Sequence, residues 1–476
     1  MANVLAWGIS GLWLLLLGWL LNRGPKYDSH HPLRVACAAW AFMFLLSATQ
    51  IIQFPTVPWE PWIYLTVFAS LLPLGMALGA GKNPAAGARD KAPAVDFTPS
   101  NETLLMIKVV VLLGAIGVFV SLYIILVERP IDLTDLDSIR NPQLMNVVGT
   151  TTWVDRIGYL TLPFPWMGLV LTSLFAERLA GRFRTIAVAS VLGLVMLGVF
   201  SAGRSIQLRI MLLSLVSLWM RRSMGLPTWP FKWTVSRRAL AALLALAIGW
   251  YFLVFVWSWR AGGLNNLSMD AGRFHKDASE SVMLREIPKG TPEYVKSLIS
   301  YSALYTATIP DNFASFYVDV NLDPYYGFWE LQPLVLGLTR MGLPIKPIDE
   351  ILRETNRGFE AVGLRTAQYR SMAQEFVLDF GKPGALLVVF ANGLAIGYLY
   401  RRFRRGKAHF ALPLNLCLMW IIFGAWTGPY GYIELLQCGL ALLFAVIAEV
   451  RLNRKWSALT DHNHSHARVP LRARRA

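Results

Sequence analysis

The chain has 476 residues, of which 55% are hydrophobic and only 16% charged. A soluble protein carries about a quarter charged residues, so a soluble fold is excluded. Apolar runs of about 20 residues recur, each long enough to cross a bilayer, and these exclude a membrane barrel, which shows ~10-residue alternating segments. The net charge of +16 does not indicate nucleic acid, because in a membrane protein Lys and Arg gather in cytoplasmic loops and on anionic lipid. The sequence reads as an all-α polytopic membrane protein.

The first apolar run, Val4 to Leu21, has no basic leader and no small-residue cleavage site, and reads as a retained span. Arg23, Lys26 and Arg34 follow it. The second span runs from Val35 to Phe54. The turn Pro55–Pro61 has no Lys or Arg, and Trp59 and Trp62 suit an interface belt. The third span ends near Ala80, ahead of Lys82, Arg89 and Lys91. The fourth runs from Leu104 to Val127. A mixed loop with Asp132, Asp135 and Asp137 leads to the fifth, from Ile157 to Phe175.

The apolar stretch from Ile186 to Met220 is too long for one span and predicts two short ones, with a turn at Ser201–Ser205. After Arg221, Arg222, Lys232, Arg237 and Arg238, the eighth span covers Ala239 to Trp259. Then the chain turns polar from Arg260 to Gly381. The ninth span covers Ala385 to Leu399, the tenth Phe410 to Trp426, and the eleventh ends near Val450. Residues 1–259 therefore carry spans 1–8, residues 260–382 a large outer loop, residues 383–450 spans 9–11, and residues 451–476 a basic tail. The tail histidines His462, His464 and His466 suit a solvated end or a metal site. Cys37, Cys417 and Cys438 fall in spans without metal or CxxC spacing and read as small core residues.

The basic loops alternate. Those after spans 1, 3, 5, 7, 9 and 11 hold most of the clustered Lys and Arg, which places them in the cytoplasm. The amino terminus, Arg204 and the long loop then lie outside, and the carboxyl terminus inside.

Several polar groups need a reason to be where they are. Arg204 heads an apolar hairpin, where it either snorkels to headgroups or meets an anionic group; Gly203 admits a close ligand, and Ser205 caps the next helix. The long loop carries more arginine than lysine, including Arg260, Arg273, Arg365 and Arg370. Such residues serve a salt-bridged surface or bind phosphate bidentately. Tyr294 to Val318 is helix-like, interrupted near Pro310, with Tyr301 and Tyr305 on a stripe that suits core packing or sugar stacking. Helical spacing from Arg365 to Asp379 puts Arg365, Tyr369, Met372, Glu375 and Asp379 on one face. Glu375 and Asp379 form an i, i+4 carboxylate pair, either ion-pair partners for arginines or the source of a general base. No P-loop, GxSxG or HExxH motif is present, and no metal spacing.

Phe200-Ser201-Ala202-Gly203-Arg204-Ser205 opens a span. A large outer loop comes late in the chain. Tyr325-Tyr326-Gly327 precedes a Leu-rich segment. Asp379-Phe380-Gly381 with Gly384 opens a span that runs through Gly393 and Gly397-Tyr398-Leu399-Tyr400 to Arg401–Arg405. In these features the sequence resembles the Wzy-like bacterial O-antigen and exopolysaccharide repeat-unit polymerases. The resemblance implies a GT-C-like membrane glycosyltransferase of the cell inner membrane, inverting and without cofactor or metal. Undecaprenyl-pyrophosphate-linked glycans would be its substrates, and a chain-length regulator and a flippase its partners. By position, Arg204 resembles the family's arginine at the start of a span, and Asp379 its acidic residue opening a late one. No single loop arginine matches a family motif. On this reading Arg204, Arg260, Arg273, Arg365 and Arg370 bind pyrophosphate, Asp379 or Glu375 is the base, and Tyr301, Tyr305 and Tyr430 line a sugar groove. An O-antigen ligase fits the same residues. A transporter of an anionic lipid-linked solute fits less well, because the two halves show no internal symmetry.

Overall fold

The structure, a computed structural model, describes residues 2–21, 31–81, 99–128, 160–179, 181–200, 204–228, 308–319, 323–327, 348–361, 371–424 and 436–451, with a few isolated positions between them. These residues are almost wholly helical. Among the described residues, five helices are long and apolar enough to cross a membrane: Ala2–Leu21 (α1), Trp59–Ala80 (α3), Asn101–Tyr123 (α4), the Gly181–Gly198 part of Gly181–Phe200 (α6), and Met372–Arg404 (α10). Pro32–Ala48 (α2) and Ala408–Gly424 are shorter apolar helices. The expected eighth span, Ala239 to Trp259, lies outside the described residues, as do the tail histidines.

Burial is arranged as lipid requires. On α1, Leu5, Ile9, Leu12 and Leu16 are exposed while Asn3 and Ser10 are buried. Hydrocarbon takes one apolar face, and on the other polar and small residues join Trp7, Leu14 and Leu17 in the helix–helix contacts. Ser10 does so across two helices: its hydroxyl lies 2.8 Å from the Thr66 hydroxyl and accepts from the Trp62 indole at 2.7 Å. Trp59 is exposed, as an interface residue should be, but Trp62 is half-buried and spends its N–H inside the bundle.

The tightest seam joins α3 and α10. Gly75 and Gly79 of α3 face Gly393 and Gly397 of α10, so each helix presents a small-xxx-small stripe. A Cβ at Gly75 would lie 2.5 Å from the Phe390 carbonyl oxygen. A Cβ at Gly79, Gly393 or Gly397 would meet the backbone of Leu394, Leu72 or Met76. Such stripes let backbones approach closely where no hydrophobic force separates lipid from helix. The pairing order makes α3 and α10 parallel. Helices α1 and α2 pair antiparallel, with Gly11 against Leu45 and Gly18 against Cys37.

A second group forms around α4, which packs on Phe164–Phe175 (α5) and Gly181–Phe200 (α6). Arg204–Ser223 (α7) packs on α5 and α6, so the 35-residue apolar stretch folds as the expected two helices. Ala411–Gly424 (α11) joins the groups, packing on α7, α10, α2 and α5, and Asn415 of α11 donates to the Ser217 hydroxyl of α7 at 2.9 Å.

The helices thus have two ends. At one, the basic end, the carboxyl termini of α3, α5, α7 and α10 meet: Arg404 donates to the Ser223 carbonyl at 3.3 Å and Arg221 pairs with Glu177. At the other lie the amino termini of α1, α3 and α10 together with Ile309–Asp319 (α8), which packs on α2, α3 and α10. Two-residue strands there, Ile52–Gln53 (β1) and Ser279–Glu280 (β2), pair antiparallel and tie the α2–α3 connection to the long loop. This is the loop end. The helix Ile348–Ala361 (α9) touches α8 through Phe359 stacked on Phe316 at 5.5 Å.

Candidate functional site

Helix α10 starts with a capping box. Ser371 is extended (φ −68, ψ 159), its hydroxyl accepts from Gln374 N–H, and its own N–H donates to Gln374 Oε1. The helical face expected to run from Arg365 to Asp379 therefore begins only at Met372, because an N-cap residue leaves helical geometry. Within that first stretch Glu375 and Asp379 stand one turn apart. Glu375 is half-buried and Asp379 fully buried, and neither is without a partner.

The helix then breaks. Gly381 has φ +68 and ψ 173, a conformation that excludes a side chain, and Pro383 follows. In an unbroken helix the Leu378 carbonyl would accept from residue 382 and the Asp379 carbonyl from residue 383. The bend removes the first donor, and proline has no N–H to supply the second. Both orphaned carbonyls are satisfied from the long loop. The Tyr325 N–H donates to Leu378 O at 2.9 Å and the Tyr326 N–H to Asp379 O at 2.6 Å. The turn that follows is left-handed at Tyr326 (φ 53) and Gly327 (φ 90). Pro324 packs against Gly381, and the buried Tyr325 shares a hydroxyl contact of 3.1 Å with Thr355 of α9. Tyr326 is left exposed beside Asp379.

The bend is also held from α3. The Tyr64 hydroxyl donates to the Lys382 carbonyl at 2.6 Å. The Tyr64 ring stacks on Phe313 (5.9 Å) and touches Tyr317 (4.9 Å), both on α8. The Lys382 ammonium lies 3.7 Å from the Tyr317 ring centre. Burial, aided by the Glu60 charge, pushes the Tyr317 hydroxyl above its usual range.

Below these rings, Asp311 in the first turn of α8 is buried. Its Oδ1 accepts from the Trp7 indole at 2.9 Å and from the Asn3 amide at 3.1 Å. Asn3 also donates to Pro55 O at 3.0 Å and accepts from Val57 N–H at 2.8 Å. Asp311 Oδ2 has no hydrogen-bond partner among the described residues. Burial pushes the carboxyl up to about 8, against the smaller opposing pull of the Trp7 and Asn3 donors.

Of the residues singled out from sequence, Glu375 and Asp379 are brought together on one helical turn. Arg204 begins α7 and so lies at the loop end; its side chain, and those of Ser205 and its neighbours, are outside what the structure describes. Arg260, Arg273, Arg365, Arg370, Tyr301, Tyr305 and Tyr430 also lie outside the described residues. A helix starts at the expected break: Thr308 is a bend and Pro310 occupies the second position of α8, where its missing N–H costs nothing, while residues 296–307 lie outside the described residues. Sequence reasoning missed Tyr64, Tyr317, Lys382 and Asp311. The signal for Asp311 was its place after Ile309-Pro310, the pattern of a helix start, and the i, i+4 polar pair Asn3 and Trp7 inside an apolar run. Among the described residues no group of His, Cys, Asp and Glu has the arrangement of a metal site. Comparison with protein-family models, curated proteins and solved structures gave no match.

Proposed function

We propose that this protein joins undecaprenyl-pyrophosphate-linked oligosaccharide repeat units at the outer face of the cytoplasmic membrane, as an O-antigen or exopolysaccharide polymerase. One observation carries the reading. Tyr325-Tyr326-Gly327 and Asp379-Phe380-Gly381, two of the stretches in which the sequence resembles Wzy-like polymerases, are hydrogen-bonded to each other at the loop end. Their union leaves a carboxyl group at a helix bend where a span meets the long loop. In this reading the loop end and the amino terminus face outward, and the basic end and carboxyl terminus face the cytoplasm, in keeping with the alternation of basic loops.

The reaction is an inverting transfer. A hydroxyl of the incoming repeat unit attacks the anomeric carbon of the growing glycan, and the bond from that carbon to the pyrophosphate oxygen breaks. Asp379 takes the hydroxyl proton, a role worth about 10²–10⁴-fold, with Glu375 one turn away as the other candidate. Undecaprenyl pyrophosphate leaves with the bond electrons, and arginines neutralise its developing charge. Arg204, at the loop end of α7, is the first of these, with Arg260, Arg273, Arg365 and Arg370 from the loop.

The test is a reaction of the full-length protein in nanodiscs with a lipid-linked repeat unit, with and without chelator. A ladder of longer glycans is expected in both arms, absent in Asp379→Asn and reduced in Arg204→Ala. Transfer to a lipid A core without elongation would replace the reading with a ligase. Passage of the lipid-linked unit across a sealed vesicle with no new glycosidic bond would replace it with a transporter.

A further inference from the structure

The first turns of α1 and of α8 are about 300 residues apart in sequence and are joined through one carboxyl group. Asp311 offers Oδ1 to two uncharged donors, Trp7 and Asn3, and Oδ2 to none among the described residues. It forms no ion pair there. Helix α1 has no ionisable side chain, and α2 has none in its loop-end half. Helix α3 contributes Glu60 and Tyr64, α10 contributes Glu375, Asp379 and Lys382, and α8 itself contributes Tyr317 and Asp319, with Lys382 engaged on the Tyr317 ring. Helix α9, which meets α8 at Phe316 and Phe359, carries its charges on Asp349, Glu350, Arg353, Glu354, Arg357 and Glu360. A buried carboxylate without a cation is costly, whereas a carboxylic acid accepting two hydrogen bonds is not.

The contacts lead from this group to the candidate site. Asp311 fixes α8, whose Phe313 and Tyr317 pack on Tyr64. Tyr64 holds the Lys382 carbonyl, one residue past the Gly381 bend that follows Asp379. We propose that Asp311 is a positioning residue, an uncharged carboxylic acid that latches α1 to α8 and, through Tyr64, sets the bend that presents Asp379. Its proton is then part of the fold. Loss of that proton puts an unpaired charge between α1 and α8 and loosens the bend.

The direction of the pH effect follows from the raised value. The folded group holds its proton to about pH 8, whereas a solvated aspartate releases it near 4. Latch stability is therefore complete below about pH 4 and is lost progressively as pH rises toward 8. Amide exchange of the full-length protein in nanodiscs reads this directly, without glycan or activity. After correction for intrinsic exchange, the opening constant of segments 309–319 and 372–384 should rise about tenfold per pH unit between pH 5 and 8 and level off above, as one linked proton requires.

In Asp311→Asn the amide oxygen still accepts from Trp7 and Asn3 and cannot ionise, so both segments should stay protected with no slope. Asp311→Ala should open both at every pH. An equal slope in Asp311→Asn and the native protein overturns the proposal, as does a flat native profile. A slope confined to 309–319 overturns the link to the bend. None of these readouts depends on polymerisation, so failure here and failure of the polymerase reading are separate results.

Discussion

The two ends of the helix bundle treat their acids in opposite ways. At the basic end Glu177 receives the fully buried Arg221, which donates to Oε2 at 3.0 Å and to Oε1, and also to the carbonyls of Leu174 (2.6 Å) and Pro227 (2.9 Å). Glu449 there meets both Arg402, at 2.5 Å, and Lys407. At the loop end Asp311 is as deeply buried as Arg221, yet its hydrogen bonds come from an indole and an amide. A carboxylate beside a guanidinium has a counter-charge and serves as structure. A carboxyl among neutral donors keeps its proton and can lose it. The difference teaches that the basic end is a fixed clamp, while the loop end, where the span breaks at Gly381, holds in Asp311 a carboxyl without a counter-charge among the described residues.

The largest effect that would sharpen this contrast is chemical. Under the proposed function, Asp379→Asn is expected to lower chain elongation by about 10²–10⁴-fold while leaving the thermal unfolding midpoint close to native. Normal glycan ladders from this variant would remove Asp379 from the chemistry and leave Glu375 as the candidate base. Next in size, Arg221→Ala should cost about 1–3 kcal/mol for each of the Leu174 and Pro227 carbonyls that it leaves without a donor, whereas the half-exposed Glu177 keeps its solvent. Chemical or thermal unfolding measures it, and per folded molecule the elongation rate should hold. Glu177→Gln should cost less, about 1–3 kcal/mol, since Arg221 keeps its carbonyl acceptors; stability equal to native would mean that the clamp is not electrostatic. The smallest effect is expected from Tyr64→Phe, about 1 kcal/mol for one hydrogen bond. It should be felt at the loop end alone, as faster amide exchange across residues 378–384. Unchanged exchange there would cut the link between α3 and the bend.

Much of the bundle was legible in the sequence. The division of Ile186 to Met220 into two helices followed from length alone, since one helix of that size overshoots the hydrocarbon core. The bend at Gly381–Gly384 was marked by glycine and proline, and Glu375 and Asp379 stood at helical spacing. The rest needed contacts. Nothing in Gly75 and Gly79 names Gly393 and Gly397 as their partners, because small residues fit many faces. Trp62 looked like a headgroup anchor until Ser10, on another helix, took its N–H. In the sequence only its place after Ile309-Pro310 sets Asp311 apart from other acids of the long loop; its hydrogen bonds come from Asn3 and Trp7, some three hundred residues away.

The sequence by itself determined what local chemistry dictates: apolar helices long enough for a membrane, the helical class, and the division of the long apolar stretch into two helices. Apolar length, proline, glycine and the basic loops act over a few residues and are readable one segment at a time. Only the tertiary structure decided that the Tyr325-Tyr326 amides answer the carbonyls orphaned at Leu378 and Asp379, and that Asp311 is sealed among neutral donors. Satisfaction of a buried polar group depends on what the rest of the fold brings to it, and that information is spread over the whole chain.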